Sequence, residues 1–271
     1  MPSTSPPPSD PATIAAMAAE RGAQVVRDAG LHGSATVQAK GLPGDYVTDV
    51  DLASEATIVE FLATQTPDIP VHGEEGGGHT GERYWVVDPL DGTTNFAHGF
   101  PAVGVSVALI EHGRPIAGSV CAPFLGTTYS GARGEGAWVS RHGDEPVRVG
   151  VSQRDPSHAV VATGFPFRRK ARLLEGYLMT MTAALARFED LRRPGAASLD
   201  LAWVAEGVFD GFFELSLGAW DVAAGGVLIE EAGGVVTDWE GGTGWLAGDI
   251  LAGPPAVHAE LLGLAAMTRP R

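Results

Sequence analysis

The sequence predicts an α+β fold, and three observations point there. Of 271 residues, 44% are hydrophobic and 37 are glycine, the composition of a turn-rich folded chain able to bury a substantial core. Four β-rich runs, Val103 to Ile110, Pro115 to Cys121, Thr127 to Ser130 and Ala137 to Val139, follow one another across glycine-containing turns, as antiparallel hairpins do. Segments with helical spacing flank these runs on both sides. No internal repeat or linker divides the chain, so one domain is expected over 10–271, after a proline- and serine-rich disordered tail over 1–9.

The first helix should start at Asp10-Pro11, where a capping side chain precedes a proline at the first helical position. Ile14, Met17, Ala18 and Val25 share one face, and Gly30 is a stop. A glycine- and proline-bearing loop from Lys40 to Asp45 leads to a second helix marked by Leu52, Ala56, Val59 and Ala63. Further along, Val160 to Thr163 reads as a buried strand and 164–170 as a loop with a small basic cluster. Leu174, Tyr177, Leu178, Met181, Leu185 and Phe188 form an amphipathic helix assigned to the core. Ala197, Leu201, Val204 and Ala205 give another helix ending near Gly207, and Phe212 to Leu215 a strand that carries Glu214. A helix begins at Asp221 and runs through Glu231, where glycines allow tight packing, and the last helix lies around Ala259 to Met267.

Chemistry concentrates in Trp85-Val86-Val87-Asp88-Pro89-Leu90-Asp91-Gly92-Thr93-Thr94-Asn95-Phe96. A buried strand should end here, because Pro89 has no N–H for a ladder, and the backbone turns as Asp88 and Asp91 arrive. Gly92 permits an unusual backbone angle or a close approach, and Thr93 to Asn95 read as a helix opening, where free N–H groups attract anions. Hard oxygen ligands beside such a turn suit a divalent cation held against a phosphate; the structural alternative is a capped, solvated connection. Two other acids carry the same ambiguity. Asp51 closes a Thr48-x-x-Asp51 capping box or faces the site and orients water, and Asp221 is an N-cap or a ligand. Of Glu74 and Glu75, adjacent on extended chain, at most one enters a given site. His72 has no histidine or cysteine at ligand spacing and reads as a surface or supporting residue.

The formal charge of −15 argues against a general nucleic-acid binder and raises the question of how an anionic substrate is held, which bound cations answer. The single cysteine, Cys121, excludes an internal disulfide, lies in an apolar run and reads as buried and inert. No apolar run reaches bilayer length and the N-terminus lacks the marks of a signal peptide, so a cytoplasmic location is expected.

Taken in order, Gly73-Glu74-Glu75, the Asp88 to Phe96 stretch and Trp220-Asp221-Val222-Ala223-Ala224-Gly225 resemble inositol monophosphatase-like enzymes. So do Ala162 to Phe167 and Ala197-Ser198-Leu199-Asp200-Leu201 after an Arg-Pro-Gly turn. The resemblance implies a layered αβαβα fold of the inositol monophosphatase/fructose-1,6-bisphosphatase type, with a metal-binding α+β half over about 10–150 and an α/β half over about 151–271. It implies Mg²⁺, two or three ions, and phosphate monoester hydrolysis, with inositol monophosphate as substrate. Alternatives are fructose 1,6-bisphosphate, histidinol phosphate or 3'-phosphoadenosine 5'-phosphate, or a regulatory scaffold that keeps the fold. Glu74, Asp88 and the Leu90 carbonyl match ligands of one metal, and Asp88, Asp91 and Asp221 those of a second. Asp51 and Thr93 match the pair that orients the attacking water, with Glu74 also catalytic. Lys40, Asp91, Gly92, Thr93, Thr94, Gly195, Ala196, Ala197 and Glu214 match substrate contacts. Many relatives carry serine or threonine after the glycine, so Ala196 removes a hydroxyl from that rim. A homodimer acting on a small phosphorylated polyol or sugar, with neither nucleic acid nor membrane as partner, is the corresponding expectation.

Overall fold

The computed structural model describes residues 10–31, 36–39, 46–166 and 169–268, so the expected tail over 1–9 and Lys40 lie outside the described residues. In chain order the elements are α1 (Pro11–Ala29), β1 (Val37–Ala39), β2 (Tyr46–Thr48), α2 (Asp49–Gln65), β3 (Val71–Gly73), β4 (Gly77–Gly78), β5 (Arg83–Asp91) and α3 (Thr93–Ala97). Next come β6 (Gly104–Glu111), β7 (Arg114–Ala122), β8 (Thr127–Ala132), β9 (Gly136–Arg141) and β10 (Val147–Arg148). The last third contributes β11 (Val160–Thr163), α4 (Lys170–Arg187), β12 (Asp190–Arg192), α5 (Ala197–Glu206), β13 (Gly211–Glu214), α6 (Ala219–Glu231), β14 (Val235–Thr237), β15 (Ile250–Gly253) and α7 (Pro255–Thr268).

The hairpins read from the sequence build an eight-stranded sheet ordered β10-β9-β8-β7-β6-β5-β3-β4, antiparallel except where β3 runs parallel to β5. A second, five-stranded sheet is ordered β12-β11-β13-β15-β14, with β11 parallel to both neighbours. The large sheet is covered on both faces, which is why its central strands β6 and β7 are buried along nearly their whole length and mostly apolar. Along β6, Val105, Val107 and Leu109 pack towards α1 and α2, whereas Ala108 and Ile110 join the cluster around α5 and α6. The helices α5 and α6 sit between the sheets, and α4 and α7 cover the outer face of the small one. The result is a five-layer αβαβα stack. No helix among the described residues is long and apolar enough to cross a membrane.

Close helix packing depends on missing side chains. A Cβ on Gly225 of α6 would lie 2.4 Å from Leu201 Cβ of α5, whereas one on Gly263 of α7 would meet nothing within 4 Å. The same substitution should therefore have opposite signs. Gly225→Ala gains about 1 kcal/mol of helix propensity but overpacks by about 1–3 kcal/mol, a net loss. Gly263→Ala has only the gain of about 1 kcal/mol. Melting temperatures of the two variants check this; a stabilised Gly225→Ala would show that the two helices are not in such close contact.

Several local expectations are corrected. β5 does not end at Pro89; it bulges there, with the register shifting between Asp88 and Asp91, so a residue with no N–H is accommodated inside a strand. The helix after Thr48 turns Leu52 and Val59 outwards, and its buried face carries Asp51, Ser54 and Glu55 beside Ile58 and Leu62. Met17 is exposed, because α1 meets the sheet through a seam of small residues, Ala15, Ala18, Ala19 and Ala23. On α4, Tyr177 is core, as is Phe188 at its C-cap, while Leu178 and Leu185 face outwards. Helix α6 starts at Ala219, with Gly218 as its N-cap, so Asp221 is its third residue.

Candidate active site

The β5 bulge, the Gly92 turn and the first turns of α5 and α6 converge on one cleft of about 240 Å³. Glu74, Asp88, Leu90, Asp91, Gly92, Thr93, Thr94, Gly195, Ala197, Glu214 and Asp221 all line it. Ala196 does not. It is fully buried at the N-cap of α5, and its methyl group lies 3.3 Å from where a Cβ on Gly92 would be. Gly92 itself has φ +88 and would bring any Cβ to 3.0 Å from the Ala102 carbonyl, so this tight turn requires glycine. Asn95 holds the turn in place by donating from Nδ2 to Ala102 O at 2.7 Å and Pro194 O at 2.9 Å, which ties α3 to the approach to α5.

Asp88, Asp91 and Asp221 are buried and offer carboxylate oxygens within 4.8 Å of one another. Glu74 is not in that tight trio, but its charge acts on Asp88 from the same cleft. Burial first, then the charges of Glu74, Asp91 and Asp221, holds the Asp88 carboxyl well above the usual range. Asp91 is pushed up to about 7 by burial and then by Asp221, against bonds from the backbone and hydroxyl of Ser198. Asp88 Oδ1 accepts from Leu90 N at 3.0 Å, while its buried Oδ2 has no hydrogen-bond partner. A buried acceptor without a donor, crowded by like charge, is costly in a protein and well matched to a hard cation. The residues present fit a divalent metal.

Asp51 lies behind the cleft lining, where one carboxylate oxygen serves the capping box and the other meets Thr93. Its Oδ2 accepts from Thr48 N at 2.9 Å and Thr48 Oγ1 at 2.5 Å, completing the capping box. Its Oδ1 accepts from Thr93 Oγ1 at 3.0 Å, a hydroxyl that also lies 3.1 Å from Leu90 O. Burial raises the Asp51 pKa above the ordinary value. Asp221 likewise reaches back, its Oδ2 accepting from Gly218 N at 2.5 Å, which closes the first turn of α6. Glu214 stands across the cleft, only 5% exposed, and a Cβ on Gly164 would fall 2.2 Å from its carboxylate oxygens. Gly164 thus makes room for that acid.

Some contributors escape sequence reasoning. Glu55 accepts from Glu75 N at 2.9 Å and Gly76 N at 2.7 Å, pinning the turn that carries Glu74. Arg193 lines the cleft, its guanidinium 5.4 Å from the Phe165 ring centre. Asp200, 1% exposed, is held well above the usual carboxylate range by burial and by the charges of Asp91 and Glu214. In the sequence Asp200 stands out as an acid inside the apolar run Leu199-Asp200-Leu201, within the Ala197 to Leu201 segment that carries the family resemblance, but with no role attached.

Comparison with known proteins follows the same lines. Residues 9–268 match the model of the inositol monophosphatase family. The putative Nus factor SuhB of Neisseria meningitidis is 41% identical over 246 residues, covering 89% of this chain and 92% of that protein. The inositol-1-monophosphatase of Rhizobium meliloti is 43% identical over 236 residues, 86% of each chain. In the solved structures, the extragenic suppressor protein suhB from Bartonella henselae superposes with a TM-score of 0.85 at 35% identity, over 93% of this chain and 97% of that one. With the match running from the capped start of α1 to the end of α7, the chain belongs to the inositol monophosphatase family.

Proposed function

We propose that this chain is a Mg²⁺-dependent phosphomonoesterase whose substrate is inositol monophosphate. The buried trio of Asp88, Asp91 and Asp221, with its unpartnered Asp88 oxygen, carries the reading. Glu74, Asp88 and the Leu90 carbonyl would hold one ion, and Asp88, Asp91 and Asp221 a second. Magnesium there supplies neutralisation of phosphoryl charge and a lowered pKa for bound water. The rest of the chemistry belongs to the chain. Thr93 Oγ1, fixed between Asp51 Oδ1 and Leu90 O, orients the attacking water, and Asp51 takes up its proton. A carboxyl whose pKa burial has raised is the better proton acceptor. The Gly92 and Thr93 N–H groups and Thr94 receive the phosphate, and by family resemblance Lys40 is a further substrate contact. Glu214 accepts from substrate hydroxyls beside Gly195 and Ala197, while Ala196 supports that rim from beneath. No side-chain nucleophile is needed. Cys121, buried with its thiol pushed up to about 12 chiefly by burial, supplies none.

The test is phosphate release from inositol 1-phosphate, fructose 1,6-bisphosphate, histidinol phosphate and 3'-phosphoadenosine 5'-phosphate, in Mg²⁺ and in EDTA, beside Asp91→Asn. Turnover should need Mg²⁺, be highest on inositol 1-phosphate and be lost in the variant. The name of the Neisseria relative favours a second reading, a regulatory scaffold on the same fold. Wild-type inactivity on every ester would replace the first reading with that one.

A further inference from the structure

The hydroxyl that is missing at Ala196 recurs two positions later, aimed at a different target. Ser198, fully buried in the first turn of α5, donates to Asp91 Oδ2 twice, from Oγ at 2.6 Å and from its backbone N–H at 2.7 Å. The contact crosses layers, joining β5 of the large sheet to α5 of the middle layer. Space for the hydroxyl is provided on β6, where a Cβ on Gly104 would lie 2.7 Å from Ser198 Oγ.

We infer that Ser198 is a positioning residue that makes Asp91 a one-oxygen ligand and thereby biases the site towards magnesium over calcium. A carboxylate oxygen has about two lone-pair sites, and Ser198 occupies both on Oδ2. Only Oδ1 then remains for a cation. Magnesium takes single oxygens in a small octahedral shell completed by water, whereas calcium accepts wider shells in which carboxylates bind through both oxygens. Locking Oδ2 therefore costs magnesium nothing and denies calcium its two-oxygen mode. This inference rests on the proposed metal role of Asp91.

The experiment titrates Mg²⁺ and, separately, Ca²⁺ into metal-stripped full-length wild type and Ser198→Ala by calorimetry, with metal-free melting temperatures alongside. The variant should bind Mg²⁺ about 10-fold more weakly, the scale of losing an outer-shell partner. Its Ca²⁺ affinity should fall less, so the Mg²⁺/Ca²⁺ affinity ratio drops, while the metal-free melting temperature moves by no more than about 4 °C. If the alanine variant does not fold, Ser198→Gly, which also lacks the hydroxyl, carries the same expectation. An unchanged Mg²⁺/Ca²⁺ affinity ratio overturns the inference. So does an equal loss for both ions together with a lower metal-free melting temperature, the mark of a merely structural serine. A wild type that binds neither ion overturns the metal reading itself, and this inference with it.

Discussion

Replacing Asp88 with asparagine should stop phosphate release and, in the same protein, raise the melting temperature measured in EDTA. The two effects share a cause. Asp88 is the carboxylate on which burial, Glu74, Asp91 and Asp221 all press, and its Oδ2 has no donor to offset them. In the proposed mechanism it is common to both ions, so its loss removes several kcal/mol of charge stabilisation. That amounts to about 10³-fold or more in turnover. Without metal, however, the amide removes a buried charge-bearing group that Glu74, Asp91 and Asp221 all oppose. Phosphate assays and thermal melts with and without Mg²⁺ read both halves. An active variant, or one less stable than wild type in EDTA, would contradict the reading of this residue.

The second large effect is on pH dependence. In the metal-free protein the Asp91 carboxyl titrates near 7 instead of 3.8. Between these values the folded state keeps a proton that the unfolded state has released, so stability falls as pH rises through the window. For one fully buried group the loss across it is on the order of 4 kcal/mol. Asp51, Asp88 and Asp200, all raised by burial, push the same way. His258 opposes them, since burial lowers its pKa and its contribution is lost as pH drops below 6.5. Against four buried carboxyls, a single imidazole does not reverse the trend. The acids whose pKa values are lowered by hydrogen bonds, such as Asp155 and Glu260, act below the window. In EDTA, melting temperature should therefore rise as pH is taken from 7.5 down to 5.5. In saturating Mg²⁺ the slope should flatten or invert, because binding requires ionised ligands and releases their protons. Melts at matched pH, with calorimetry in two buffers of different ionisation heat, check the sign. An EDTA series that gains stability from pH 5.5 to 7.5 would sink it.

How far the sequence could be read depended on where the side chains come from. Asp88, Asp91, Gly92 and Thr93 were legible because they lie within one bulge and turn, close enough for spacing alone to imply convergence. The hairpins from β6 to β9 were legible because glycine turns and apolar runs alternate there. Helix α2 lies where its spacing places it, but its buried face is not the one that spacing suggests, for a physical reason. Periodicity arguments assume that the buried face is apolar, and here that face holds Asp51, Ser54 and Glu55, which serve the site and its supports. The ladder rule makes Pro89 a stop because it treats a missing donor as a break, whereas a bulge leaves one residue unpaired. Ser198, Glu55 and Asp200 could not have been found from spacing. Each acts on something that only the stacking of layers brings near, and in isolation each is an ordinary polar residue on a helix.

Asp91 and Ser198 are 107 residues apart, and Asp221 comes later still. A ribosome making this chain therefore releases the whole large sheet before the helices that complete its acidic pocket have emerged. Until α5 and α6 dock, the carboxyls at the end of β5 face solvent and repel one another, and closing so long a loop is slow. Chemistry and folding then finish together: a truncated or half-assembled chain has most of its strands and no competent centre.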